Sequence, residues 1–109
     1  MMLTQRVHPE AAAELRVAVA WYKEREPEVS RRFVERVTLA RQDIVQWPSA
    51  AVSFMITEDG TVIRSKSVRG YPYRVIYAME PDVILIIAFA HDRRKPGYWH
   101  DRLNQLNRN

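Results

Sequence analysis

The stretch Val83-Ile84-Leu85-Ile86-Ile87-Ala88-Phe89-Ala90 followed by His91-Asp92-Arg93-Arg94-Lys95-Pro96-Gly97-Tyr98-Trp99 decides the fold. Its first half is a continuous apolar run, the pattern of a strand buried on both faces. Its second half is a basic, aromatic-tipped exit from that strand. A rigid core element therefore delivers cations directly to the surface, an arrangement that suits an anionic partner.

Working back from this strand, Tyr73–Met79 alternates as a strand and is joined to it by the turn Glu80-Pro81-Asp82. Val52–Thr57 and Thr61–Val68 flank Glu58-Asp59-Gly60, an Asp-Gly turn signal. Such short connections imply antiparallel pairing. Upstream, Ala11, Leu15, Ala18, Val19 and Tyr22 follow helical spacing after Pro9, and Phe33, Val37, Ala40, Ile44 and Trp47 make a second stripe ended by Pro48. Leu3–Val7 reads as a first strand and Tyr98–Leu106 as a terminal helix. The predicted fold is α+β: an N-terminal antiparallel helical hairpin covers one face of a small, mainly antiparallel sheet, with a short C-terminal helix. Residues 1–109 read as one domain.

Composition narrows the function. The chain has no cysteine, which excludes disulfides and zinc–thiolate sites and is compatible with a reducing cytoplasm. No segment reaches the roughly 20 apolar residues that span a bilayer, so a soluble cytoplasmic protein without a membrane partner is expected. The 17 Lys and Arg against 13 Asp and Glu give a net charge of +4. Between Arg64 and Arg102 the cations outnumber the acids, whereas most acids lie in the first third. The C-terminal half is the electropositive one and is expected to attract phosphate or an acidic peptide.

The candidate site residues follow from that asymmetry. Arg74, inside the strand of Gly70-Tyr71-Pro72-Tyr73-Arg74-Val75-Ile76-Tyr77, is either a charge at a strand end or a fixed guanidinium for bidentate capture of phosphate or carboxylate. Arg64 and Lys66 share a strand face, either solvated or joined with Arg74 in a phosphate-binding floor. His91 is a candidate acid or base, and Arg93, Arg94 and Lys95 surround it in sequence. Trp99 either stacks on a target base or anchors the core, and the anchor is favoured. His8, His91 and His100 lack metal-ligand spacing, so no metal is expected. Three glycines without a glycine-rich loop point to no nucleotide cofactor, so none is expected.

Several local patterns, in order, resemble the RelE/ParE superfamily of toxins from type II toxin–antitoxin systems. They are Val7-His8-Pro9-Glu10-Ala11, Glu14, Trp21-Tyr22, Phe33 with Val37, Ile44-Val45-Gln46-Trp47-Pro48, the strand Val68–Tyr77, and Ile87–Trp99. The resemblance spans about residues 5 to 103. It implies growth inhibition relieved by a cognate acidic antitoxin in a hetero-oligomer, and a role in plasmid stabilisation. RelE-like members cleave mRNA on the ribosome, whereas ParE-like members poison DNA gyrase. A nuclease reading assigns Arg74 and Arg93 to phosphate charge and His91 or Tyr98 to proton transfer. A target-binding reading assigns Arg64, Lys66, Arg94, Lys95 and Trp99 to the contact. Trp99 stands where the nuclease pattern has a tyrosine, and the His-x-Arg-Arg-x-Pro-x-x-Trp ending resembles the ParE-like branch. Gyrase inhibition is therefore the expected activity, with mRNA cleavage second and a non-toxic antitoxin-binding or co-repressor module third.

Overall fold

The computed structural model describes residues 4–106, with side chains described for residues 4–103. Leu3, expected to open the first strand, lies outside the described residues. The elements are β1 (Thr4–Val7), α1 (Pro9–Arg25), α2 (Pro27–Gln46), β2 (Val52–Ile56), β3 (Val62–Ser67), β4 (Tyr73–Met79), β5 (Val83–His91) and α3 (Asp101–Leu106). The strands form one sheet in the order β1-β5-β4-β3-β2. β1 runs parallel to β5, and the remaining pairings are antiparallel.

The apolar run is β5, with Ile84 through Ala90 buried, because both of its faces are covered. One face carries Val75, Tyr77, Ile84, Ile86 and Phe89 against Ala11, Ala18, Phe33, Val37, Ala40 and Ile44 of the helical hairpin. The other carries Ile63, Ile76, Ala78, Ile87, Ala88 and Ala90 against Trp99, with Tyr98 and Leu103 beside it. Fully burying one such isoleucine stabilises by roughly 1.5–3 kcal/mol, which is why the second face recruits the C-terminal segment.

β5 contains a bulge. Ile76 pairs with Ala88 while Tyr77 pairs with Ile86, leaving Ile87 as the extra residue. The bulge reverses the alternation, so Ile86 and Phe89 both face the helices although they are three apart.

The hairpin breaks where the sequence demands. Pro9 opens α1, and the His8 ring nitrogen Nδ1 caps it by accepting from the Glu10 N–H at 3.1 Å. Pro27 opens α2, and Ser30 Oγ donates to the Val19 carbonyl at 3.0 Å across the joint. Trp47, expected at the end of the α2 stripe, lies off it and is 62% exposed. A residue before proline is pushed out of the helical region, and Trp47, at φ −133° and ψ 65°, is the cap rather than a core position. The rings of Tyr22, Phe33, Tyr71 and Tyr73 cluster at centroid distances of 5.0–6.4 Å under the joint. Gly70, at φ +86°, supplies the left-handed turn that brings Tyr71 there.

Candidate functional site

Arg74 lies on β4 directly opposite Ser67 of β3 and Ala90 of β5, on the face away from the helices. Its guanidinium donates to Ser65 Oγ at 3.3 Å and sits 3.6 Å from the Asp92 carboxylate. Both side chains of that ion pair are about half exposed, 48% and 51%, so the pair is weak and leaves the guanidinium open to a ligand. A groove of about 420 Å³ runs past it, bounded by Phe54 and Val52 of the edge strand and by Arg94, Lys95 and Tyr98 of the segment after β5. Arg94 is stacked on the Tyr98 ring, 3.9 Å from its centroid, which orients it along the groove. A larger depression of about 540 Å³ near the β2–β3 turn carries Glu58, Asp59 and Glu80, so its charge is wrong for an anion.

Arg64 and Lys66 do not share a floor with Arg74. They stand opposite Tyr77 and Val75, on the helix-covered face, because strand alternation puts them one residue out of phase with Ser65 and Ser67. There Arg64 donates to the Ala51 carbonyl at 2.8 Å and Lys66 pairs with Asp43 of α2 at 3.5 Å. The expected three-cation floor is thus corrected by register to a groove containing Arg74, Arg94 and Lys95.

Of the four residues assigned to RNA cleavage, Arg74, His91 and Tyr98 line the groove and Arg93 does not, and the three are held differently. His91 pairs with Tyr73 and its ring packs edge-on to that tyrosine at 4.9 Å, on the helix side, so only the strand end brings it to the groove rim. Its Nδ1 accepts from the Arg93 N–H at 3.0 Å. Arg93 is exposed and does not line the groove. Tyr98 donates its hydroxyl to Glu14 Oε2 at 2.5 Å. Trp99, a candidate for stacking on a target, is 2% exposed and packs in the second core with Phe54 edge-on at 5.7 Å. Its indole has no open face, so the anchor alternative replaces target contact.

The sequence reading missed the most connected polar cluster. Beyond Val7 the β1 strand ends, with the His8 N–H reaching the Ile86 carbonyl, and the adjacent edge of β5 is left unpaired. Glu14 of α1 and Arg102 of α3 complete it. Glu14 Oε1 accepts from the Phe89 N–H at 3.1 Å, and Arg102 donates to the Ile87 carbonyl at 3.0 Å. The two side chains join each other through paired bonds of 2.8 and 3.0 Å. Glu14 was detectable: it falls three residues after Ala11 and four before Ala18, on the buried stripe of α1. Arg102 carried no such signal.

Burial, followed by the bond to Glu14, pushes the Tyr98 phenol far above its ordinary range. For Arg102, burial alone would lower the guanidinium, but Glu14 outweighs it and the net shift is upward. The raised phenol has a pH consequence. Stability contributed by protonated Tyr98 is complete below its unfolded value near 10 and is lost as pH rises toward the higher folded value. Tyr98→Phe should therefore flatten the alkaline limb of a stability profile above about pH 10, read by urea unfolding across the series.

Comparison with known proteins agrees with this architecture. The sequence model described as ParE toxin of type II toxin–antitoxin system, parDE, matches residues 6–96. A solved structure titled as the chromosomal ParDE toxin–antitoxin system from P. aeruginosa superposes with a TM-score of 0.68 at 16% identity, covering 83% of this chain and 96% of that one. No curated protein sequence matches.

Proposed function

The chain belongs to the ParE toxin family of type II toxin–antitoxin systems, and on that premise we propose that it arrests growth by binding DNA gyrase and is neutralised by a cognate acidic antitoxin. The groove between Arg74, Arg94 and Lys95 carries this reading. It offers three cations beside the apolar Val52 and Phe54, a surface for holding an anionic or acidic macromolecular partner. Metal-free RNA cleavage needs a proton donor and acceptor within hydrogen-bond reach of one phosphate. Here the Tyr98 hydroxyl is committed to Glu14, and its raised phenol is a poorer proton source. mRNA cleavage keeps one point in its favour, His91 at the groove rim.

Inducing the chain without its antitoxin tests the proposal when RNA 5′ ends and gyrase-linked DNA breaks are mapped together. The expected result is DNA breaks and an SOS response without new RNA ends. Codon-phased RNA ends with intact DNA would replace gyrase by mRNA as the target. An absence of growth inhibition would leave the antitoxin-binding module.

A further inference from the structure

Two of the groove's three cations, Arg94 and Lys95, sit on residues 92–100, a segment with little regular structure that is tied to the body of the fold. Arg94 rests on the Tyr98 ring, and Tyr98 is itself fixed by Glu14. Arg102, in the first turn of α3, is fixed by the same carboxylate. The four bonds on Glu14 therefore come from three places: the open edge of β5, the phenol carrying Arg94, and the first turn of α3. Side-chain exposures of 10% for Arg102 and 18% for Glu14 keep most water out of the pair. Glu10, one turn earlier on α1, adds a weaker contact to Arg102 at 3.5 Å.

We propose that Glu14 is a positioning residue for the target-binding surface: it touches no target, but latches the C-terminal segment so that Arg94 and Lys95 face the same groove as Arg74. The inference rests on the groove reading above. A neutral amide at position 14 accepts at one atom instead of two and turns N–H donors toward the Arg102 guanidinium, so the ion pair and one of its two bonds are lost and the phenol loses its charged acceptor. The two core faces retain their apolar contacts, and the loss falls on the direction of the segment.

Full-length Glu14→Gln tests this beside Val37→Ala, a core change chosen as a destabilised control. Three readouts are taken: the thermal midpoint, the rate of tryptic cleavage after Arg93 and Arg94, and the toxin concentration that half-inhibits gyrase supercoiling. Glu14→Gln is expected to speed cleavage at these two sites about tenfold and to raise the half-inhibitory concentration about tenfold. Val37→Ala, compared at an equal margin below its own midpoint, is expected to change neither by more than about twofold. Similar behaviour of the two variants would show a merely structural glutamate and overturn the proposal, as would fast local cleavage with full inhibition. Should Glu14→Gln not fold, Tyr98→Phe, which keeps the Glu14–Arg102 pair, replaces it with an expected two- to threefold effect on both readouts and the same overturning outcomes. The double variant Arg94→Ala/Lys95→Ala separates the two readings: undiminished inhibition there refutes the groove, whereas lost inhibition there with an inert Glu14→Gln refutes the latch alone.

Discussion

Trp99→Ala is expected to destabilise the fold by about 3–5 kcal/mol, the range for deleting a large buried aromatic. A domain of this size has a total stability of roughly 5–15 kcal/mol, so the variant should be marginal and its urea midpoint strongly reduced. The reason is geometric. Trp99 is among the largest fully buried side chains and spans the second core face, over Ile63, Ile76, Ile87 and Ala88. Among the described residues the hairpin packs on the opposite face, so α1 and α2 do not fill the void that the alanine leaves. Trp99→Phe, which keeps an aromatic ring there, should lose less than half as much. Were Trp99 instead a stacking platform for a target, the alanine variant would keep its urea midpoint and lose only inhibition. The equilibrium unfolding curve separates the two roles without any target present.

The parts of the molecule visible in the sequence are those governed by short-range periodicity. The run Val83–Ala90 gave a central strand because each of its residues is apolar and both sheet faces are covered. The stripe Phe33, Val37, Ala40 and Ile44 gave the α2 face, and prolines 9, 27 and 48 placed the helix ends. What escaped reading depends on register or on long separations. Arg64, Lys66 and Arg74 are all strand cations, and only the pairing of Arg64 with Tyr77 and of Ser67 with Arg74 reveals that they face opposite ways. The Ile87 bulge has no local signature, yet it sets which β5 residues face the helices. Glu14 and Arg102 are 88 positions apart, and no periodicity links an acid on the first helix to a base on the last. The resemblance offers Tyr98 for proton transfer because it stands one place from the tyrosine position of the nuclease pattern, whereas its partner in space is a carboxylate.

Reversing the groove's charge should produce the largest functional effect. Arg94→Glu/Lys95→Glu is expected to weaken growth inhibition by on the order of 100-fold, since each reversed contact costs about 1–2 kcal/mol and every 1.4 kcal/mol is tenfold. The fold should barely notice. Both side chains are exposed, and the stacking of Arg94 on Tyr98 is worth about 0.5–1 kcal/mol at such a site. Arg64→Glu/Lys66→Glu makes the same change in net charge on the opposite face and should show the reverse profile. It replaces a donor to the Ala51 carbonyl and the partner of Asp43, so thermal stability falls, while inhibition by the folded fraction stays within a few fold. Total charge is identical in the two double variants, so a non-specific attraction to a polyanion would weaken both alike. A large difference between them, in a titration of inhibition against folded toxin, is the result expected of a directed groove. Equal losses would mean that charge alone, and not its placement by β4 and the latched segment, brings the chain to its target.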